Sequence, residues 1–279
     1  MQARRLRLCR EKTAEIGRCM RRIESKDNPL IRRLSRLAGE RKFRRTQGEM
    51  VCEGEKMLRE ALTSGVPVRE VVVGETRQFD PDLLARAEAQ GARLTEIPES
   101  LLARLSNVET PQGLVFVCDQ PVFTLERLSQ ARRLLVLDGL QDPGNLGTIL
   151  RTADAFALDG IVLCEGCVDP VSPKVVRATM GAIFRIPIVM AKLEETAQWL
   201  AQRDIPLYAT ALREDSVPLT AVSLHRAAVI IGNEGRGVSE RGLVLSEKQL
   251  IIPMAGRAES LNASIAASIV MYEMSRTDS

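Results

Sequence analysis

The sequence predicts an α/β protein with two domains. Short apolar segments of strand length alternate with amphipathic segments of helix length through most of the chain, which is the pattern of α/β folds. The chain has 279 residues, and one domain typically takes about 100–200 residues. In the second half of the chain the strand segments are apolar on both faces, as expected of parallel strands covered by helices.

The first 45 residues are strongly basic, with 16 Lys and Arg against five Asp and Glu, although the whole chain has a net charge of only +3. We expect residues 1–24 to form a basic, poorly packed extension and Asp27-Asn-Pro29 to begin a helix. A solvated helical face would have a similar composition. The clustering nevertheless favours a surface for the phosphate backbone of nucleic acid. The cluster contains Arg32, Arg33, Arg36, Arg41, Lys42, Arg44 and Arg45.

Residues 25–119 are expected to form the first and smaller α/β domain. After the first helix, the patterns predict strands at 50–52, 68–73, 92–96 and 114–118, and helices at 55–63, 81–90 and 99–105. Pro121 is expected to end the last strand. Residues 120–132 are therefore expected to be a linker to the second domain.

Residues 133–279 are expected to form the second domain around a parallel sheet. Its predicted strands are 134–137, 161–164, 186–189, 207–210, 228–231 and 250–252. Chemically unusual loops follow three of these strands. Ligands of open α/β sheets bind at the carboxyl ends of the strands, so these loops indicate a ligand site.

Several classes of site are disfavoured by composition. His225 is the only histidine, which argues against histidine catalysis and against a metal site. Cys164-Glu-Gly-Cys167 is a single CxxC without a second pair, so buried strand-end cysteines are favoured over a zinc or redox site. No apolar run reaches the roughly 20 residues of a membrane span, and no secretory signal is evident. We therefore expect a cytoplasmic protein without metal or membrane.

The first loop, residues 138–153, reads Asp-Gly-Leu-Gln-Asp-Pro-Gly-Asn-Leu-Gly-Thr-Ile-Leu-Arg-Thr-Ala. Pro143-Gly144 predicts a turn, after which Asn145 or Gly147 could open a helix whose free N–H groups attract anions. Arg151 lies one to two turns further along and could reach the same ligand. The alternative is a capped helix with a solvent-facing arginine.

The second loop, residues 230–239, reads Ile-Ile-Gly-Asn-Glu-Gly-Arg-Gly-Val-Ser. Its three glycines permit close approach of the backbone to a ligand, and Glu234 places a carboxylate at the end of a strand. The spacing G-x-x-G-x-G differs from the dinucleotide fingerprint G-x-G-x-x-G. A nucleotide-dependent oxidoreductase is therefore a weak alternative.

The third segment, residues 251–273, joins a strand end, a loop with Pro253 and Gly256, a polar cluster and a helix of small residues. The polar cluster contains Glu259, Ser260 and Asn262. Either Ser260 or Asn262 could simply be the N-cap of the helix. Each of the three regions is weak evidence when taken alone.

Together, and in this order, the three regions resemble the signature motifs of the SpoU/TrmH-type RNA 2′-O-ribose methyltransferases of the SPOUT superfamily. The matching patterns are D-P-x-N-x-G-x-x-x-R-T-A, G-N-E-x-x-G and I-P-M-x-x-x-x-E-S-L-N-x-S-x-A. This resemblance covers roughly residues 132–275. Upstream, residues 25–32 and 43–54 are similar to the RNA-binding substrate domain that is common in this family.

The resemblance implies a fold, a cofactor and a set of site residues. The fold is a parallel α/β sheet whose C-terminal segment forms a deep trefoil knot, and the cofactor is S-adenosylmethionine. The implied cofactor-binding residues are Thr210, Gly232, Ile252 and Leu261. We expect Gly232 to lie where a side chain would block the ligand. The implied catalytic residues are Asn145, Arg151, Glu234, Ser260 and Asn262.

The resemblance also implies partners. The expected substrate is structured RNA, with ribosomal RNA favoured over transfer RNA. A homodimer with the C-terminal helix in its interface is usual in the family, and the small residues Ala263, Ala266 and Ala267 would allow close helix approach. A buried intramolecular helix would have the same composition. The remaining alternative is a non-catalytic RNA-binding protein with the same fold.

Overall fold

The computed structural model describes residues 20–106, 111–257 and 259–276, and the chain divides into two compact units. The first unit contains the described residues up to Gln120 together with Val171–Arg177, and the second contains Pro121–Pro170 and the described residues from Ala178 onward. The expected extension at residues 1–24 lies largely outside the described residues.

The first unit is a five-stranded sheet with helices around it. Its strands are β1 (Arg21–Arg22), β2 (Glu49–Glu53), β3 (Val68–Gly74), β4 (Arg93–Ile97) and β5 (Leu114–Asp119), in the spatial order β1-β4-β3-β5-β2. The β1–β4 and β4–β3 pairs are parallel, whereas β5 is antiparallel to both of its neighbours. The helices are α1 (Pro29–Gly39), α2 (Arg41–Gln47), α3 (Glu55–Thr63), α4 (Pro81–Ala89) and α5 (Glu99–Leu105).

The first helix forms because Asn28 and Pro29 begin it and because its apolar side chains share one face. The Asn28 side chain accepts a hydrogen bond from the backbone N–H of Leu30 at 2.9 Å, and Pro29 occupies the first turn. Ile31, Leu34 and Leu37 are buried on the opposite side of the helix from solvent. The apolar face of this helix is therefore part of the core of this unit.

The basic cluster divides into buried, paired and unpaired side chains. Arg44 is only 4% exposed and donates hydrogen bonds to the backbone carbonyls of Leu37 and Ala38. It is thus a structural residue, and its inclusion in the expected nucleic-acid surface was wrong. Arg33 pairs with Glu49, and Arg36 pairs with Glu40 and stacks over Phe43. The exposed cations without a hydrogen bond or ion pair to described residues are Arg32, Arg41, Lys42 and Arg45.

The second unit is an eight-stranded sheet in which every neighbouring pair is parallel. Its strands are β6 (Val122–Phe123), β7 (Arg133–Leu137), β8 (Gly160–Leu163), β9 (Ile188–Met190), β10 (Leu207–Thr210), β11 (Val217–Pro218), β12 (Ala227–Ile231) and β13 (Lys248–Ile251). Their spatial order is β11-β13-β10-β12-β7-β8-β9-β6. The expected strands are all present, with ends shifted by no more than two residues.

Helices connect these parallel strands. The helices of this half of the chain are α6 (Pro143–Ala155), α7 (Pro173–Ala178), α8 (Leu193–Ala201), α9 (Glu240–Leu245) and α10 (Ala263–Ser275), with short 3₁₀ turns at Leu125–Leu128, Ala182–Phe184 and Leu219–Ala221. Of these helices, α7 belongs to the first unit except for its last residue, Ala178. The described residues contain no helix that is both long and apolar enough to cross a bilayer. The central strands are buried on both faces, as their apolar runs predict.

The segment expected to be a linker, residues 120–132, is folded. Val122 and Phe123 pair with β9 as an edge strand. Leu125 and Leu128 then enter the core of the second unit, where both are at most 5% exposed. The strand that precedes Pro121 does end before it. The apolar residues that follow Pro121 nevertheless form one more strand and a buried turn.

The polypeptide places all three regions of interest at the carboxyl edge of the second sheet. β7, β12 and β10 are adjacent, and β13 lies beside β10, so the segments that leave these four strands meet. The C-terminal helix α10 packs against α6, where the Ser268 and Thr152 hydroxyls are 3.3 Å apart. The third segment thereby returns to the first loop.

Candidate active site

A cleft of about 550 Å³ opens where the segments after β10, β12 and β13 meet. This volume falls within the range of small-molecule sites, roughly 300–1,000 Å³. The four residues expected to bind the cofactor, Thr210, Gly232, Ile252 and Leu261, all lie in its lining. Residues from three separate segments of the chain therefore line one cavity, since Ile252 and Leu261 both follow β13.

The lining suits a ligand that is flat and apolar in one part and charged in another. Aliphatic side chains supply much of the wall, among them Leu212, Val238, Leu243, Leu250, Met254 and Ala266. The Thr210 hydroxyl donates to the Ile230 carbonyl at 3.0 Å, which leaves its oxygen lone pairs to accept a further bond. An adenosine group with apolar faces and polar edges matches this surface.

Gly232 is required for a reason other than the expected one. A Cβ at this position would lie 2.0 Å from the carbonyl carbon of Gly237 and 2.1 Å from the nitrogen of Val238. The space is filled by the backbone of the same loop. Our expectation that a side chain here would block the ligand is corrected accordingly, because the obstacle is the protein's own chain. Gly232 still lines the cleft.

Asn233 organises the second loop, and the sequence reasoning did not select it. Its side-chain oxygen accepts from the backbone N–H groups of Gly235 and Arg236 at 3.0 and 3.1 Å, and its Nδ2 donates to the Gly139 carbonyl at 2.8 Å. The backbones of Asn233 and Gly237 exchange two hydrogen bonds of 2.9 Å, and Gly237 has φ +71°. An Asn followed two residues later by Gly is a turn signal that could have identified it.

Glu234 connects the second loop to the first. Its carboxylate accepts from the backbone N–H groups of Gln141 (3.1 Å) and Asp142 (2.9 Å) and from Nδ2 of Asn145 (3.1 Å). Burial opposes ionisation, but these three donors outweigh it and hold the pKa of the Glu234 carboxyl below its ordinary value. Glu234 is therefore an anchor for the first loop and is ionised at neutral pH.

Asn145 and Asn262 extend this connection to the third segment. Nδ2 of Asn262 donates to Oδ1 of Asn145 at 3.1 Å, so a chain of side-chain hydrogen bonds runs from Glu234 through Asn145 to Asn262. Oδ1 of Asn262 accepts from the N–H of Ser264 at 2.8 Å and caps α10. Of the two expected N-cap candidates the cap is Asn262, and the same side chain also contacts the first loop.

The helix of the first loop begins earlier than expected. Asp142 is its N-cap, and Oδ1 accepts from the N–H of Asn145 at 2.8 Å. Neither Asn145 nor Gly147 opens the helix, so that expectation was wrong. Gly147 is buried within α6, where a Cβ would lie 2.3 Å from that of Ala178. This close packing explains the glycine of the first loop.

Arg151 and Ser260 are both exposed and make no hydrogen bond or ion pair to described residues. Arg151 lies on the solvent side of α6 and is not part of the lining of the cleft. Ser260 does belong to the lining, as Glu234 does. The structure thus brings Asn145, Glu234 and Asn262 into contact and leaves Arg151 and Ser260 available to a ligand.

The cysteines of the CxxC sequence are core residues. Cys164 and Cys167 are each 5% exposed, and burial raises the pKa of the Cys164 thiol to about 12. Cys167 donates to the Leu137 carbonyl. Within the described residues no group of three or more His, Cys, Asp or Glu side chains is arranged to hold a metal ion.

The parallel sheet, together with a cleft built from loops at its carboxyl edge, defines an α/β protein with a ligand site, and the solved structures that match it are RNA methyltransferases of the SpoU class. A sequence profile of the SpoU rRNA methylase family matches residues 132–272, and a profile of the MRM3-like substrate binding domain matches residues 28–115. The chain belongs to the SpoU rRNA methylase family. It is accordingly an RNA methyltransferase with S-adenosylmethionine as its cofactor.

Named relatives and solved structures agree with this assignment. The chain is 34% identical over 255 residues to the 23S rRNA (guanosine(2553)-2′-O)-methyltransferase RlmP of Bacillus subtilis, with 91% of this chain and 99% of that protein covered. The crystal structure of an AdoMet-bound rRNA methyltransferase from Sinorhizobium meliloti matches with a TM-score of 0.81 at 31% identity, covering 91% of this chain and 97% of that one. The SpoU methyltransferase AviRb from Streptomyces viridochromogenes, in complex with AdoMet, matches with a TM-score of 0.78 at 28% identity and coverages of 89% and 97%.

Proposed function

We propose that the protein transfers a methyl group from S-adenosylmethionine to a ribose 2′-hydroxyl of structured RNA, with ribosomal RNA as the favoured substrate. The observation that carries this proposal is the chain of hydrogen bonds from Glu234 through Asn145 to Asn262 beside a cleft of about 550 Å³. The name of the Bacillus subtilis relative supports both the 2′-O position and the ribosomal class of RNA.

The cleft is the proposed cofactor site, and Thr210, Gly232, Ile252 and Leu261 would hold S-adenosylmethionine there. Ile252 and Leu261 offer half-buried apolar surface for the faces of the adenine ring. Thr210 offers a hydroxyl oxygen, and the backbone at Gly232 borders the cavity. When bound, the cofactor supplies a methyl group activated by its sulfonium. The protein must then align a ribose hydroxyl with that carbon.

Arg151 is the proposed contact to the reacting nucleotide. A guanidinium stays protonated at neutral pH and therefore cannot act as a base. It can, however, donate two parallel hydrogen bonds to a phosphate or to a phosphate and the neighbouring hydroxyl. Since Arg151 is exposed and unpaired among the described residues, it is free to form this clamp. Ser260, which is also unpaired, would contact the same phosphate or hydroxyl.

Asn145, Glu234 and Asn262 are proposed to position the loops around the nucleotide. Glu234 fixes the amide of Asn145 by accepting from its Nδ2, which directs Oδ1 of Asn145 to Asn262. Because Asn262 also caps α10, the start of this helix is tied to the first loop. The proposed trefoil knot, which the family resemblance implies, would bring the third segment back to the first loop in the same way.

Residues 25–119 are proposed to bind the RNA outside the reacting nucleotide. Arg32, Arg41, Lys42 and Arg45 present four exposed and unpaired cations on α1 and α2. Such cations bind the phosphate backbone without reading sequence. The name of the matching substrate binding domain supports the same role for residues 28–115.

We further propose that the protein is a homodimer that acts in the cytoplasm. Of the small residues of α10, Ala263 and Ala267 are buried within the unit and so serve intramolecular packing. The exposed apolar side chains on this helix are Ile265 (48% exposed) and Tyr272 (55% exposed), which offer a surface for a second copy. The mass of the protein in solution tests the proposed dimer.

The decisive experiment is methyl transfer from labelled S-adenosylmethionine to unmodified total RNA, followed by mapping of the modified nucleotide. The expected result is label in a ribose of ribosomal RNA. Label in transfer RNA would identify the alternative substrate. Binding of cofactor and RNA without transfer of label would favour the non-catalytic alternative instead.

A further inference from the structure

Arg236 is an unused cation in the wall of the cofactor cleft. It lies near the tip of the second loop, and its side chain is exposed, lines the cleft and makes no hydrogen bond or ion pair to described residues. The backbone that carries it is fixed, because Asn233 Oδ1 accepts from its N–H at 3.1 Å and residues 233 and 237 are hydrogen-bonded to each other. A cation with a fixed attachment point is suited to bind an anion.

The other charged side chains that line the cleft already have partners within the protein. Glu234 is held by three donors of the first loop. Arg213 and Glu240 both line the cleft and lie 3.8 Å apart, so Arg213 already has a carboxylate next to it. Arg236 is therefore the charged group in the described lining that is available to a ligand.

We propose that Arg236 binds the carboxylate of the amino-acid part of S-adenosylmethionine. This inference rests on the proposed cofactor site. The adenosine part of the cofactor needs apolar walls, which the cleft provides. The amino-acid end carries a carboxylate and an ammonium group, and these need charged partners. A guanidinium can bind a carboxylate with two parallel hydrogen bonds, which makes Arg236 a determinant of cofactor affinity and specificity.

The test measures cofactor binding by calorimetry in the wild-type protein and in Arg236→Gln, without RNA. The ligands are S-adenosylmethionine and its decarboxylated form, which keeps the adenosine, the sulfonium and the amine. We expect the wild-type protein to bind the decarboxylated ligand about tenfold more weakly, since a charge-assisted hydrogen-bonded pair is lost. Arg236→Gln should bind S-adenosylmethionine about tenfold more weakly and should abolish the difference between the two ligands.

Arg241→Gln is the matched control. Arg241 is an exposed arginine on α9 that pairs with Glu194 outside the cleft, so its loss removes the same charge from the same domain. Its affinity for both ligands should stay within about twofold of the wild type. Arg236→Lys, which keeps the charge but not the two-pronged geometry, should lie between the wild type and Arg236→Gln.

The possible outcomes separate this inference from the proposed function. If the wild-type protein binds neither ligand, the cofactor site itself is refuted. If both ligands bind and Arg236→Gln weakens them equally or not at all, the cofactor site stands and the role of Arg236 is refuted. An unchanged cofactor affinity of Arg236→Gln, together with a raised KM for RNA in a methyl-transfer assay, would likewise refute this role and would assign Arg236 to the substrate instead.

Discussion

Replacing Glu234 by Gln tests whether its carboxylate holds the first loop in place. The carboxylate accepts three hydrogen bonds, two from backbone N–H groups of residues 141 and 142 and one from Asn145. A glutamine side chain has one carbonyl oxygen, which can accept at most two of these three hydrogen bonds. Its NH₂ group is a donor and would face the third N–H, which is also a donor. Hydrogen bonds to a charged group contribute about 1.5–3 kcal/mol when buried. Because Glu234 is partly exposed to solvent, we expect the free energy of unfolding to fall by only about 1 kcal/mol.

The pH dependence of this loss follows from the pKa of Glu234. The folded protein holds that pKa below the ordinary value of 4.5. A carboxyl with a depressed folded pKa stabilises the protein above the unfolded pKa, and the contribution disappears as the pH falls through the folded pKa. The difference in unfolding free energy between wild type and Glu234→Gln should therefore be constant near neutral pH and shrink below about 4.5.

Urea denaturation across a pH series measures this difference directly. Glu240→Gln is the control, because Glu240 has a side chain that is 87% exposed and lies 3.8 Å from Arg213. Its loss should change stability by less than about 0.5 kcal/mol. A Glu234→Gln protein as stable as the wild type at pH 7, or equally destabilised at every pH, would refute the anchoring role.

Three further variants test other parts of the proposed mechanism. Arg151→Ala should lower kcat by at least about 100-fold and leave the Kd for S-adenosylmethionine within about twofold, because the clamp acts on RNA; equal loss of both would contradict it. Gly232→Ala should destabilise the protein by about 2 kcal/mol or more, since its Cβ would meet the backbone of Gly237 at 2.0 Å; a wild-type melting temperature would refute this. Lys42→Gln with Arg45→Gln should weaken RNA binding and reduce the salt slope by about 1.5; an unchanged slope would exclude these cations.

The positions of the strands could be predicted because burial leaves a simple pattern in the sequence. The runs at 134–137 and 228–231 are apolar throughout, as expected of parallel strands that are covered on both faces. The edge strand Val122–Phe123 could not be predicted in the same way. It has two residues and follows a proline, so it forms because β9 offers an unpaired edge and not because of its own sequence.

The number of charges in the basic segment does not predict which of its side chains are exposed. Arg44 has the same charge as its neighbours, yet it is buried because it donates to two carbonyls near the end of α1. Deleting the segment up to residue 45 would also remove Ile31, Leu34 and Leu37 from the core. Such a deletion would unfold the unit as well as remove its cations. Substitutions at Lys42 and Arg45, which are exposed, test RNA binding without removing these core residues.

The motifs identify the site residues, but only the structure shows which of them contact one another and which are left for a ligand. A motif places Asn145, Arg151 and Asn262 on equal terms. The hydrogen bonds separate them, because Asn145 and Asn262 satisfy each other whereas Arg151 has no partner among the described residues. Asn233 was not predicted as a site residue. Its side chain forms hydrogen bonds only to backbone groups of the protein, at Gly139 and within its own loop.

The two functions of Asn262 determine which substitution can reveal the connection between the loops. Asn262→Ala would remove the N-cap of α10, at a cost of about 1 kcal/mol, together with the bond to Asn145. Loss of activity in that variant would not distinguish a frayed helix from a displaced loop. Asn262→Asp keeps an oxygen that can cap the helix, and it replaces the Nδ2 donor by a charged oxygen that cannot donate to Asn145. If the bond to Asn145 positions the first loop, Asn262→Asp must lose methyl transfer while the melting temperature is retained.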